Sequence, residues 1–134
     1  MSKVKRFEDL RCWQAARNLV KEIYLISERG KLSKDYDTKS QIKRAALSTM
    51  NNIAEGFGKY SSKEFIRYLD IANNSASEVK SILYVLLDLK YLEPDTIEVL
   101  QNKAEEVKAL SLALLLYLIK RDTESKQERK HVNT

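Results

Sequence analysis

Apolar side chains return at helical spacing in four stretches of the chain, with polar or turn-forming residues between them. The first stretch sets Leu10, Trp13, Ala16, Val20, Ile23, Tyr24 and Ser27 on one face and predicts a helix of about five turns. Asp9 is placed to cap its start and Gly30 falls just past its end. After the polar connection "GKLSKDYD", a second helix carries Ile42, Ala45, Ala46, Thr49 and Ile53. Thr38 with Gln41 reads as its capping box, and Asp37 is the alternative cap. A third helix begins at Ser61, which forms a capping box with Glu64. Its stripe of Phe65, Tyr68, Leu69, Ala72, Ala76, Val79, Leu83 and Leu86 makes it the longest of the predicted set. Pro94 suits the first turn of a fourth helix, where its missing N–H costs nothing, and Ile97, Leu100, Ala104, Val107, Leu110, Leu114 and Tyr117 follow on one stripe.

Amphipathic helices joined by short connections predict an all-α, antiparallel up-down-up-down four-helix bundle occupying residues 1–120. The remainder, residues 121–134, has almost no apolar side chain to offset its ordering entropy and is predicted to be disordered. Two segments are more apolar than an isolated bundle requires. "SILYVLLDL" in the third helix and "LSLALLLYLI" in the fourth are apolar nearly all round, whereas a monomer's surface helix keeps a polar face. A second buried face follows, and another copy of the chain is the simplest thing to cover it, so a homo-oligomer is expected.

Composition narrows the class further. The 134 residues, 43% of them hydrophobic, are enough for one domain with a real core. A single proline and three glycines leave too little turn chemistry for a chain of many strands. One cysteine, Cys12, excludes an internal disulfide framework and points to a reducing compartment, so the cytoplasm is the expected location. The basic N-terminus has no apolar stretch behind it that would make a secretory signal, and the longest uncharged run, Ala109 to Ile119, is too short to span a bilayer. No membrane association is expected.

The residues argue against catalysis. No Glu-x-x-His pair exists to build the di-metal site that such bundles sometimes house, and the one histidine, His131, lies in the polar tail. Serine and cysteine nucleophiles therefore lack a base within the folded part, and Cys12, beside Trp13, reads as a half-buried structural thiol. The stretch "NNIAEGFGKY" has the glycines of a phosphate loop, but they follow a helix and not a strand. Gly56 or Gly58 is better read as a left-handed C-cap, with Phe57 packed on the bundle. No enzyme, metal or cofactor is expected.

Charge is the feature that points to a partner. The chain carries +5 overall, yet residues 38–67 hold six basic and two acidic side chains while residues 68–119 hold four and eight. Lys59, Lys63 and Arg67 recur every four residues, and Lys39 and Lys43 repeat that spacing earlier. Brought to one side, these two sets would make a cationic surface that neutralises nucleic-acid phosphates; apart, they are solvated helix faces.

Two longer stretches carry a family resemblance. "FEDLRCWQAARNLVKEIY" and "QIKRAALSTMNNIAEGFGKYSSKEFIRYLDIANNSASEV" resemble the small four-helix-bundle proteins encoded in intervening sequences of bacterial 23S ribosomal RNA genes. The most specific words are Phe7-Glu8-Asp9-Leu10 with Trp13, and Asn52-Ile53-Ala54-Glu55-Gly56. That family is similar in turn to the accessory variability determinant protein of diversity-generating retroelements, a basic homopentamer that works with a reverse transcriptase and RNA. The resemblance implies a cylindrical homopentamer without enzymatic activity, and a reverse transcriptase as partner should the gene sit in a retroelement. It also marks Gln41, Arg44, Asn52, Glu55, Gly56, Ser75 and Glu78 as matching the family's polar positions, and these are expected to be structural hydrogen-bonding residues. Arg44 and Glu55 lie about three turns apart and cannot pair along one straight helix. The chain departs from the pattern at Asn74, where the family tends to have glycine before Ser75. Residues and resemblance together predict a binding or accessory module that contacts RNA or DNA through Lys39, Lys43, Lys59, Lys63 and Arg67. A protein-interaction scaffold is the alternative.

Overall fold

The computed structural model describes residues 4–132, and every regular element among them is helical. A short 3-10 turn, Phe7–Asp9, leads into α1 (Arg11–Ser27). A second such turn, Leu32–Lys34, precedes α2 (Tyr36–Phe57), which is followed by α3 (Ser62–Asp88) and α4 (Pro94–Val132). No helix among the described residues is long and apolar enough to cross a membrane.

Helix ends follow the local hydrogen-bonding chemistry, though not always at the residues the pattern suggests. Asp9 does not cap α1: it belongs to the 3-10 turn, and Leu10 occupies the cap position in an extended conformation with no side-chain acceptor. The start is fastened instead by Gln14, whose Nε2 donates to the Glu8 carbonyl at 3.0 Å, and by Phe7 meeting Trp13 edge to face at 5.2 Å. At α2 the cap is Asp35, ahead of both Thr38 and Asp37. Its Oδ1 accepts the Thr38 N–H at 3.2 Å and its Oδ2 accepts the Tyr91 hydroxyl at 3.0 Å. That one carboxylate thus ties the α1–α2 connection to the α3–α4 turn. Ser61 caps α3 as its spacing predicts, accepting the Glu64 N–H, and Pro94 opens α4.

Neither Gly56 nor Gly58 is a left-handed C-cap. Gly56 is inside α2, and Gly58 caps it with φ −77°, an ordinary right-handed conformation. The left-handed positions are Gly30, at φ 45°, and Lys90, at φ 58°. At Lys90 the chain closes α3 with the Tyr91 N–H on the Leu86 carbonyl at 2.9 Å, the wrapped bond of a Schellman turn, made without glycine. Buried Leu92 holds that turn against the core.

The four apolar stripes meet as the periodicity predicts. Each helix packs on the next and α4 closes on α1, giving a four-helix bundle. Leu19 and Ile23 of α1, Ile42 and Ile53 of α2, Leu69 and Leu83 of α3, and Leu100 and Val107 of α4 are fully enclosed. Burying each large side chain contributes about 1.5–3 kcal/mol before ordering entropy is subtracted. The hydroxyls of Ser27 and Thr49 reach this interior because each donates back to a carbonyl of its own helix. Tyr117 points outward at 37% exposure, and Ser111 and Leu118 face inward in its stead.

Polar contacts set the α3–α4 register. Lys108 donates to Asn73 Oδ1 and to Ser77, Asn73 returns a bond to the Lys108 carbonyl, and Gln101 donates to the Lys80 carbonyl. The longest helix is α4, at 39 residues against 27 for α3. Arg121 reaches Ser62 at the first turn of α3, and past this point α4 runs on beyond its neighbour. Where the sequence predicts a disordered tail from residue 121, the chain is helical to Val132 with its side chains largely exposed through Lys130. Glu, Lys, Gln and Arg are strong helix formers and allow the extension without a packed face.

The doubly bonded Asp35 makes stability depend on acid. Bonds from Thr38 and then Tyr91 hold its carboxyl below the ordinary range, so its contribution is present above the unfolded value of about 4 and is lost as pH falls through the lower folded value. The melting temperature of Asp35→Asn should fall below that of the wild type at neutral pH. The difference should shrink as both are titrated below about pH 4. A constant difference across that range would remove the carboxylate from this role.

Candidate nucleic-acid interface

The five cations singled out by spacing do not form one surface. Lys39 and Lys43 lie in the first two turns of α2, while Lys59, Lys63 and Arg67 surround the α2–α3 turn at its far end. Between Lys43 and the end of α2 at Phe57 the helix rises about 21 Å. Two basic patches result, and each is built around tyrosine.

At the far patch, Lys59 Nζ and the Arg67 guanidinium lie 5.3 and 5.7 Å from the Tyr68 ring centre. Lys63 is exposed one turn from Arg67, and Tyr60 beside them is fully exposed. At the near patch, Lys43 Nζ sits 4.4 Å from the centre of the Tyr24 ring of α1 and Lys39 Nζ 5.1 Å from that of Tyr36. Lys39 is also tethered by a 3.1 Å bond to the Ser33 carbonyl. A cavity of about 290 Å³ opens here, and Arg44 lines it together with both lysines and both tyrosines. Arg44 donates to Ser40 Oγ at 2.9 Å, which turns its guanidinium along the helix surface. Among the described residues no ion pair joins it to Glu55.

The groove does not stop there. A second cavity of about 540 Å³ continues along α2, sharing Arg44 and Leu47 with the first and adding Ser48, Asn51, Asn52 and, from α3, Glu78. Its floor is a short polar network: Ser48 and Ser75 share a 2.9 Å hydroxyl bond between α2 and α3, and Asn52 donates to both Ser48 Oγ and the Ser48 carbonyl. With both amide protons of Asn52 committed, its Oδ1 is left as an acceptor, and the exposed Glu78 carboxylate adds another. The groove is thus cationic and aromatic at one end and acceptor-lined at the other.

The family-motif residues take three different places. Asn52 and Ser75 are structural hydrogen-bond partners at the α2–α3 contact. Arg44 and Glu78 line the groove, while Gln41 and Glu55 are exposed on α2. Gly56 is explained by space. A Cβ built on it would lie 2.6 Å from Tyr68 Cβ and 3.0 Å from the Phe65 ring. Asn74 is exposed, so the departure from glycine there costs no close approach. Sequence spacing missed Tyr24, Tyr36 and the cationic role of Arg44. Tyr24 looks like core because it falls on the α1 stripe, yet it is 38% exposed.

Cys12 is more deeply enclosed than the half-buried thiol expected. It is 3% exposed, and burial pushes its thiol up to about 11, so it stays protonated at neutral pH. Among the described residues no cluster of three or more His, Cys, Asp or Glu side chains is positioned to hold a metal ion.

A model of the family described as 23S rRNA-intervening sequence protein matches residues 8–113. Among solved structures, one similar chain is a protein with unknown function from the S23 ribosomal protein family of Bacteroides thetaiotaomicron. It superposes with a TM-score of 0.71 at 23% identity, covering 78% of this chain and 97% of that one, and this likeness is one of fold. No curated protein matches the chain.

Two stability tests follow from these contacts. Gly56→Ala forces a Cβ against a backbone-anchored carbon, an overpacking cost of about 1–3 kcal/mol against the roughly 1 kcal/mol that alanine recovers in a helix. A net loss of up to about 2 kcal/mol is expected in urea unfolding, and a more stable variant would contradict the packing argument. Cys12 should resist a thiol reagent at about pH 8 until the protein is unfolded. Rapid labelling of folded protein would place the thiol at the surface.

Proposed function

The chain belongs to the 23S rRNA-intervening sequence protein family, and we propose that it works as a non-enzymatic, self-associating module that binds RNA through basic surfaces along α2. The observation that carries this reading is the near patch. Lys39, Lys43 and Arg44 line one cavity with Tyr24 and Tyr36, and such a cluster supplies both phosphate neutralisation and aromatic surface. Lys59, Lys63 and Arg67 form a second, separate set of phosphate contacts in this reading.

Polar contacts between α3 and α4 favour the antiparallel up-down-up-down arrangement. Arg121 meets Ser62, Lys108 meets Asn73 and Gln101 meets Lys80, so partners on α3 advance as those on α4 recede. Exposed apolar side chains support self-association. Tyr84, Val85 and Leu89 lie at the end of α3, and Val99 is on the facing part of α4. Leu112, Leu116 and Ile119 lie further along α4, about 20 Å or more from Val99. Two different apolar patches at separate heights are what a head-to-tail ring contact uses, in keeping with a homopentamer.

A scaffold that holds an acidic or apolar protein partner is the second reading. It draws on the same apolar patches and on the exposed Glu98, Glu105 and Glu106 of α4.

Titration of structured RNA against the protein across a salt series separates the two. Binding should weaken steeply as salt rises, and Lys43→Glu with Arg44→Glu should lower affinity at low salt by at least about tenfold. Absence of binding at low salt, or binding indifferent to salt and to both reversals, would sink the RNA reading. Light scattering at micromolar concentration should report an oligomer, and a clean monomer would refute self-association.

A further inference from the structure

We propose that the groove along α2 binds single-stranded RNA and prefers bases that carry an exocyclic amino group. This rests on the RNA-binding reading above and adds to it the strand state and the base class.

Strand state follows from Tyr36. Its ring is 78% exposed, beside Lys39 and at the mouth of the first cavity. An exposed ring flanked by cations stacks an unpaired base and holds its phosphate close by, whereas a base inside a duplex offers no free face. The two cavities adjoin along α2, edged by Tyr24 of α1 and Glu78 of α3, and their volumes of about 290 and 540 Å³ are on the scale of single nucleotides.

The placement of the base and its class follow from how the charges are distributed along the groove. Lys39, Lys43 and Arg44 attract phosphate at the first cavity, and the Glu78 carboxylate in the second repels it. The backbone is therefore held at the cationic end and a base is directed to the other. There it meets the Asn52 Oδ1 acceptor, fixed because both Asn52 amide protons are given to Ser48, and the Glu78 carboxylate. These two groups can only accept, so they suit an amino group and oppose a carbonyl; Asn51, exposed on the same cavity, carries a donor and an acceptor and favours neither, and Arg44 stands at the edge shared with the first cavity. Cytosine presents its amino group at the position where uracil presents an oxygen. The Ser48–Ser75 bond anchors this end to α3, so the acceptors keep their direction as the strand arrives.

The experiment uses the full-length protein and three probes at low salt: oligocytidylate, oligouridylate of equal length, and an RNA duplex. The cytidylate should bind about tenfold or more tightly than the uridylate, the yield of one additional hydrogen bond to a charged acceptor. The duplex should bind more weakly than either. Tyr36→Ala should weaken both single strands by about tenfold, a loss the size of one stacked base. Glu78→Gln, an exposed and isosteric change that leaves the fold intact, should bring the cytidylate-to-uridylate ratio close to one. Equal or tighter duplex binding, unaltered affinity in Tyr36→Ala, or a ratio of one in the wild type would overturn the proposal while leaving salt-dependent RNA binding in place. Loss of all binding at low salt would defeat the broader reading instead.

Discussion

The close approach of α2 and α3 is the constraint on which the remaining structure depends. At Gly56 the two backbones come so near that a single methyl group would lie 2.6 Å from Tyr68 Cβ, and small residues line the rest of the contact. Ala45 and Ala46 on α2 face inward, as do Ala72 and Ala76 on α3, and Ser48 and Ser75 bond across it. Small side chains leave the helices close enough for dispersion contacts and a hydroxyl bridge to form, which larger ones would prevent. Where Ser48 and Ser75 bring α2 against α3, the groove along α2 gains its polar floor and the Glu78 edge.

The same contact explains why the tyrosines matter. Tyr68, held against Gly56, presents its ring between Lys59 and Arg67, while Tyr24 of α1 and Tyr36 at the start of α2 do the same for Lys43 and Lys39. A cation over an aromatic face is attracted to the ring and held near the surface, so these charges are more localised than lysines on a solvated helix. Acidic residues lie mainly on α3 and α4, where Glu105 pairs with Lys80 and where Glu98 and Glu106 are exposed. The charge of a single subunit is therefore uneven, with an excess of cations over residues 38–67, which span most of α2 and the first turns of α3.

Much of the architecture could be read directly from residue spacing. The stripe of α2 is buried position by position and that of α3 from Leu69 to Leu86, with Phe65 and Tyr68 only half-buried; Ser61 and Pro94 start helices as their chemistry requires, and the lack of histidine in the bundle is visible in the chain itself. Other boundaries could not be read this way. Asp35 caps α2 only because the Leu32–Lys34 turn orients it toward Thr38, and no short-range pattern distinguishes it from Asp37. Lys90 adopts a left-handed conformation that sequence assigns to glycine, since the burial of Leu92 and the proline that opens α4 determine where the chain must turn. Helix continuation past residue 120 is a matter of propensity without packing, which a test based on burial does not detect.

The sequence by itself determined the number of helices, their inward faces and the net excess of positive charge on the second quarter of the chain. These are local properties: periodicity, capping chemistry and composition act within a few turns. Only the tertiary structure decided that the two basic sets stand about 21 Å or more apart along α2, that Arg44 joins the first of them, and that Glu78 from α3 faces the same groove. Residues distant in sequence become neighbours through the relative rotation and offset of packed helices, and those are fixed by side-chain volume at contacts such as Gly56.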